Sequence, residues 1–178
     1  MLPRGDRMRD VVALLRPRSG PASADAVNGF LGANGTLDVN ALATVTGSIT
    51  GAQNLLLAGA GTINIGTPAP GSTGAGFGAL NAITKMGSGT TFLNVNSATF
   101  VNGLTINEGT FKITGTGVTL GGTGTITIQG PAARLWVDDT SGAATAHFAG
   151  ARAVTMTGGT LQFDGGAGTS AQTLGLLT

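Results

Sequence analysis

The sequence predicts an all-β fold, a β-helix (β-solenoid), and three observations of composition begin the argument. Glycine makes up 32 of the 178 residues, well above the usual ~7%, and it has no period of three, which excludes collagen. Hydrophobic residues reach 41% and charged residues only 10%, as is typical of a folded chain. Aromatic residues are only 4%, so the core must consist of rows of aliphatic side chains.

One local pattern, Gly-Thr-apolar-x-apolar, recurs along the chain. Glycine allows the positive φ of a tight corner, and the alternation that follows places one strand face inward and the other outward. The copies begin at Gly35, Gly61, Gly109, Gly124 and Gly159. Their outward residues are all polar: Asp38, Asn64, Lys112, Thr127 and Gln162. Recurrence of one motif, rather than of strands alone, favours a solenoid over a sandwich or barrel.

The uneven spacing of the copies predicts loops of different length between the strands. Thr67–Gly78, which is rich in proline and glycine, reads as one loop, and residues 130–150 hold another around Pro131. Ala143–Gly150 is the only weak helix candidate after residue 30.

Two regions follow from this pattern. Residues 26–178 form the β-solenoid, and residues 1–25 are predicted to be a poorly ordered leader with a short helix over Met8–Leu15. The apolar stretch Val11–Leu15 is shorter than the ~7–15 residues of a signal-peptide core, so no convincing signal peptide is present. No stretch approaches the ~18 apolar residues of a membrane span.

The charge distribution argues against nucleic-acid binding by the body of the chain. Five arginines crowd the first 20 residues, whereas the remainder holds four basic and six acidic side chains and no basic stripe. Cysteine is absent, which excludes disulfides and thiolate metal sites. No cofactor is expected.

Candidate catalytic residues are few, and the chain is predicted not to be an enzyme. His147 is the only histidine and has no partners for a catalytic triad, so it is interpreted as a surface residue in a loop. Asp138 and Asp139 are interpreted as solvated turn residues, which Asp164 could approach from another rung. The calcium-binding repeat Gly-Gly-x-Gly-x-Asp is absent, and no metal site is expected.

Trp136, the only tryptophan, gives the one candidate ligand site. If Leu135 and Val137 point inward, Arg134, Trp136 and Asp138 share an outward face and form a patch on which a sugar ring could stack. The opposite phase buries Trp136 beneath a loop, and this is the favoured interpretation.

Threonine recurs in Thr-x-Thr steps that could build a flat hydroxyl array. The steps do not fall at one repeat spacing, so no flat array is predicted, and ordinary β-propensity explains them. They are Thr44/Thr46, Thr125/Thr127 and Thr155/Thr157.

Residues 83–113 resemble the passenger-associated transport repeat of autotransporter passenger domains. The family pattern runs apolar-Thr-Lys-x-Gly-x-Gly-Thr, a strand, Asn-x-aromatic-x-Gly and then Thr-x-Ile-x-x-Gly-Thr-apolar. The matching residues are Lys85, Gly87, Gly89, Thr90, Phe100, Thr105, Ile106, Gly109 and Thr110. The chain departs from the pattern at Thr91-Phe92, at Ala98, which replaces the Asn, and at Val101-Asn102, which displaces the glycine. The resemblance covers about a sixth of the chain.

The resemblance implies a right-handed parallel β-helix. Such a β-helix would be a structural stalk of a bacterial protein that is secreted or displayed on the cell surface, without an active site. The resemblance also implies an adhesin-like role, with surface glycans or components of a host or neighbouring cell as partners. A β-barrel translocator in the outer membrane is expected elsewhere in a full-length protein. The alternative is a carbohydrate-binding or polysaccharide-degrading β-helix fragment. A degrading enzyme is disfavoured because the ten charged residues after residue 20 are scattered along the sequence.

Overall fold

The computed structural model of the chain describes residues 29–30, 34–66, 76–95, 103–140, 146–148, 150–166 and 171–178. All regular secondary structure in these residues is β-strand, which confirms the predicted all-β class. The predicted leader with its helix over Met8–Leu15, most of the loop Thr67–Gly78 and half of Ala143–Gly150 lie outside the described residues.

The strands form three parallel sheets that the chain visits in turn. Sheet 1 contains β2 (Gly35–Asp38), β5 (Asn54–Ala58), β7 (Ala82–Lys85), β9 (Gly103–Ile106), β11 (Ile126–Ile128), β13 (Arg152–Met156) and β15 (Leu174–Leu177). Sheet 2 contains β3 (Leu42–Val45), β6 (Thr62–Ile65), β8 (Thr90–Leu93), β10 (Gly109–Thr114), β12 (Ala133–Asp138) and β14 (Thr160–Asp164). Sheet 3 is short and contains β1 (Gly29–Phe30) and β4 (Ile49–Thr50).

Every strand pairs in parallel with its equivalent one turn before or after it, so the fold is a β-solenoid of about five turns. Two isolated parallel bridges, Ile49 to Phe77 and Leu120 to Phe148, mark the third side further along the chain. The predicted right-handed sense stays a prediction.

The connections between sheets differ sharply in length. From sheet 1 to sheet 2 the chain uses two to four residues on every turn, whereas the return from sheet 2 to sheet 1 takes eight to sixteen. Gly35 therefore pairs with Leu55, 20 residues on, but Leu55 pairs with Ile83, 28 residues on. Insertions are confined to the third side, because the short corner has no room for them.

This asymmetry explains the uneven spacing of the Gly-Thr copies. The copies at Gly35 and Gly124 lead into strands of sheet 1, whereas those at Gly61, Gly109 and Gly159 lead into strands of sheet 2. The motif is therefore a property of strand entry on either sheet and is not a single repeat with one period. Within residues 130–150, a turn at Pro131 leads into β12, which occupies Ala133–Asp138, and the expected loop at Ser141-Gly142 lies outside the described residues.

The core consists of mainly aliphatic columns that run along the solenoid axis. In sheet 2 the column Ile63, Thr91, Phe111, Leu135 and Leu161 points inward. In sheet 1 the equivalent column is Leu55, Ile83, Leu104, Ile126 and Val154. Each fully buried aliphatic side chain contributes ~1.5–3 kcal/mol relative to exposure, so the columns are the main source of stability.

The corner between sheets 1 and 2 stacks backbone directly on backbone. Gly87 has φ of 78°, and a Cβ added there would lie 2.6 Å from the carbonyl oxygen of Gly59 on the preceding turn. Only glycine satisfies both conditions, since it alone adopts positive φ freely and brings no side chain into the contact.

Candidate functional site

Strand β12 places Trp136 on the outer face of sheet 2. Leu135 and Val137 are buried in the core, so Arg134 and Trp136 point outward, and Trp136 is half-buried. The favoured interpretation, Trp136 buried beneath a loop, is wrong because the parallel register places it between Lys112 and Gln162, the outward residues of the adjacent strands.

The indole of Trp136 has partners within the chain. Lys112 Nζ lies 3.6 Å and Arg134 Cζ 4.4 Å from the ring centroid, which are cation–π distances. The indole Nε1 donates a hydrogen bond of 2.8 Å to Asp164 Oδ2. These contacts use the π surface and the polar edge on which a stacked sugar would depend, and the predicted glycan patch stays a prediction.

Asp138 receives several hydrogen bonds at the end of the same strand. Lys112 Nζ lies 2.6 Å from its Oδ2, and Thr140 donates to its Oδ1 through both Oγ1, at 2.6 Å, and the backbone N, at 3.1 Å. Burial alone would raise the pKa of Asp138, but the hydrogen bonds from Lys112 and Thr140 outweigh burial and the pKa is lowered. The expectation that Asp138 and Asp139 are solvated is wrong, since both are buried.

Polar contacts continue to the next turn and form what we call the sheet 2 network: Lys112, Arg134, Trp136, Asp138, Gln162 and Asp164. Gln162 Nε2 donates to both carboxylate oxygens of Asp164 at 2.9 Å, and Arg134 donates to Gln162. The network links three successive strands, so charges that are scattered in the sequence gather on one face of the fold.

The outer face of sheet 1 carries a different pattern. Its strands β5 to β15 place no charged side chain outward in the described residues. One outward column is threonine in four consecutive strands: Thr84, Thr105, Thr127 and Thr155. The column is one residue wide, because the Thr-x-Thr steps do not align: Thr44 lies on sheet 2, and Thr127, the second residue of its step, pairs with Thr155, the first residue of the next.

His147 lies inside the third side, although a surface position was expected. The parallel bridge between Leu120 and Phe148 makes this segment part of the third side of the solenoid. The imidazole of His147 is 0% exposed. Its Nδ1 lies 2.8 Å from the carbonyl oxygen of Val118, and its Nε2 lies 3.4 Å from Asp139 Oδ1. The ring is closed to solvent.

A cavity of about 340 Å³ opens beside Asp139 at the C-terminal end of the solenoid. Its lining comes from three separate segments: Val137, Asp139, Phe163, Asp164, Gly165, Gln172 and Leu174. Sequence reasoning missed this cavity, and no local signal marks it. Its lining includes two carboxylates and no arginine.

Two further cations are buried at the corner and on the third side. Lys85 is 1% exposed, and its Nζ donates to the carbonyl oxygens of Met86 and Gly87 at 2.9 and 2.6 Å. Burial lowers the pKa of Lys85, and the charge of Glu108 acts weakly in the opposite direction. Arg152 donates to the carbonyl oxygens of Gly121 and Gly124 at 2.8 Å, and burial lowers its pKa to about 10. Both cations hold backbone turns together.

The described residues contain no group of three or more His, Cys, Asp or Glu side chains that could hold a metal ion. Within the same residues, no helix has the length and apolar character needed to cross a membrane. Comparison of the chain with protein families, with curated proteins and with solved structures finds no match in any of the three.

Proposed function

We propose that the chain is a structural β-helical stalk of an exported bacterial surface protein of the autotransporter type. One observation carries the proposal. Residues 83–113, which resemble the passenger-associated transport repeat, span β7 to β10, and the most distinctive residues of the motif that are described there hold positions that the solenoid requires. Phe100, a further match, lies outside the described residues.

The role of each motif residue has a physical basis. Lys85 turns inward and caps the corner carbonyls, and Gly87 supplies the positive φ of that corner. Thr90 and Thr110 are paired outward residues on consecutive strands of sheet 2, and Ile106 is fully buried. Because these motif residues form the strands and corners of a solenoid turn, they support a structural role for the repeat.

A stalk of this kind suits a chain that crosses a membrane before it folds. Each turn buries its aliphatic column only when the next turn is added, so folding can proceed turn by turn from one end. We expect unfolding intermediates that differ by whole turns, and a single all-or-none transition would count against progressive folding.

Cellular location tests the proposal directly. Antibodies against the chain should label intact cells of the source bacterium, and externally added protease should remove the label while a cytosolic marker survives. Detection only in the cytosolic fraction would overturn the proposal.

Glycan binding at Arg134, Trp136 and Asp138 is the second candidate, favoured by the outward direction of Trp136. A glycan array with the wild-type chain and the W136F variant tests it. Binding that W136F abolishes would establish the patch, and identical binding by both proteins would exclude it.

A further inference from the structure

One tripeptide of the chain has the acceptor sequence for attachment of a sugar to asparagine. Asn34-Gly35-Thr36 fits the pattern Asn-x-Ser/Thr, in which x is any residue except proline. No other asparagine in the sequence is followed two residues later by serine or threonine. A pattern of three residues arises easily in a chain this rich in threonine, so its position in the fold decides whether it can serve as an acceptor.

The structure places both recognised side chains of this tripeptide at the surface. Asn34 directly precedes β2 and is exposed, and Thr36, the second residue of β2, is exposed as well, whereas Leu37 is buried. Residues two apart along a strand lie on the same side of it. A transferase can therefore reach the amide of Asn34 and the hydroxyl of Thr36 from one direction.

A hydrogen bond to the next turn holds the carboxamide of Asn34 in one orientation. The backbone N of Asn54 donates to Asn34 Oδ1 at 3.0 Å. A backbone N–H can only donate, so the atom that faces β5 is the oxygen, and the side-chain nitrogen, Nδ2, is turned away from this contact. A sugar on Nδ2 leaves both this hydrogen bond and the pairing of β2 with β5 intact. The folded solenoid is therefore compatible with a modified Asn34.

The surface next to Asn34 has room for an attached sugar. The parallel register places Asn54, Ala82 and Gly103 on the turns that follow Asn34 in the same column of sheet 1. None of the three is buried, and none carries a charge or a bulky side chain. The adjacent outward column contains Thr84 and Thr105, whose hydroxyl groups both donate and accept hydrogen bonds, as sugar hydroxyls do. An uncharged sugar therefore meets a polar, uncharged surface.

We propose that Asn34 is an acceptor site for N-linked glycosylation. The donor is a sugar whose C1 is joined to a diphosphate, on either a nucleoside or a lipid carrier. A bond forms between Asn34 Nδ2 and C1 as the bond between C1 and the phosphate oxygen breaks. The diphosphate leaves with the bonding electrons and the amide proton passes to a base of the transferase, so nothing is oxidised or reduced. The proposal adds a modification to the solenoid and does not depend on the function proposed above.

Intact mass spectrometry of the chain isolated from the source bacterium tests the proposal. We expect the wild-type mass to exceed that of the sequence by whole sugar residues, and peptide mapping should place them on Asn34. N34Q and T36V should lose the added mass completely, because they remove the acceptor asparagine and the recognised hydroxyl. T36S keeps the hydroxyl and should retain the sugar. N54Q, the matched control, changes an exposed asparagine of the same column outside the acceptor sequence and should also retain it.

Two further measurements complete the test. Circular dichroism of N34Q and T36V should match that of wild type, which separates loss of the acceptor from loss of the fold. Unmodified chain, incubated with cytosolic extract and nucleotide sugars or with the membrane fraction, should gain sugar in one of the two, and this identifies the carrier. A wild-type chain without added sugar, or sugar that persists in N34Q, would overturn the proposal. Sugar on Asn34 of a chain found only in the cytosol would uphold it and overturn the surface location.

Discussion

The outer faces of sheets 1 and 2 belong to the same turns and are built by different rules. From β5 to β15, sheet 1 presents an uncharged face, and its threonine column repeats from strand to strand. Sheet 2 carries the network of Lys112, Trp136, Asp138 and their partners, in which each residue has a specific partner on an adjacent strand. Both sheets pair in parallel, and the one register shift, between β13 and β15 of sheet 1, lies beyond the threonine column, so the difference lies in the side chains.

The difference separates two ways of holding turns together. On sheet 1 four consecutive strands carry threonine in the same outward column, so these side chains do not distinguish one turn from the next. On sheet 2 the charge-assisted bonds fix which turn follows which, because Lys112 needs the carboxylate of Asp138 one turn later. Side chains of sheet 2 therefore specify order, whereas those of sheet 1 only sustain β structure.

The largest loss of stability is expected from the D138A substitution. The substitution removes the acceptor of Lys112 and Thr140 and should lower the free energy of unfolding by about 2–3 kcal/mol. The control D38A removes an exposed acid of sheet 1 and should cost less than about 0.5 kcal/mol. Urea unfolding followed by circular dichroism measures both. Equal losses in the two variants would remove the distinction between the faces.

The pH dependence of stability sharpens the same comparison. The pKa of Asp138 is lowered in the folded state, so its stabilising contribution is present above its ordinary value of about 3.9 and is lost as pH falls through the folded pKa. The D138N variant should be about 1–2 kcal/mol less stable than wild type at pH 6 and should converge with it as the pH falls below the folded-state pKa of Asp138. A constant gap between D138N and wild type across this range would show that the carboxylate charge is not involved.

The sequence contains enough information to predict the strands but not their register. The local pattern predicts that a strand begins at Gly35-Thr36 and that Leu37 faces the core. The structure confirms both, since β2 begins at Gly35 and Leu37 is buried. Register depends on the length of the returns on the third side, which range from eight to sixteen residues and follow no local rule. The threonine column, which includes Thr105 and Thr127, was therefore missed, although its members are all visible in the sequence.

The buried polar groups could not be placed for a related reason. His147 and Asp139 are polar residues in a loop-like context, and only the bridge of Phe148 to Leu120 puts them inside the wall. Lys85 is an exception, because a sequence pattern could have predicted its contacts with the corner. A lysine two residues before the first glycine of a corner lies within reach of that corner's carbonyl groups.

Substitution of Thr91 should raise the free energy of unfolding, by about 1 kcal/mol, whereas the substitutions above lower it. Thr91 occupies the inward column of sheet 2, and its buried hydroxyl has no hydrogen-bond partner among the described residues. T91V preserves shape and removes the unpaired group, so it should stabilise the chain by about 1 kcal/mol. T84V, at an outward position of sheet 1, should change stability by less than about 0.5 kcal/mol. Destabilisation by T91V in urea unfolding would mean that the hydroxyl has a partner.

The smallest effect is expected inside the threonine column. Thr105 and Thr127 are paired outward residues of β9 and β11, and cross-strand threonine pairs contribute only ~0.2–1 kcal/mol. T105V and T127V should each alter stability by less than about 0.5 kcal/mol, and a double-mutant cycle should give a coupling below about 0.5 kcal/mol.

The equivalent double-mutant cycle between Lys112 and Asp138 should give a coupling above about 1 kcal/mol, because that pair is shielded from solvent and charge-assisted. A coupling in the threonine column as large as that of the ion pair would mean that sheet 1 also specifies the order of its turns. A weak coupling would leave that task to sheet 2, where Lys112 and Asp138 link successive turns through a charge-assisted bond.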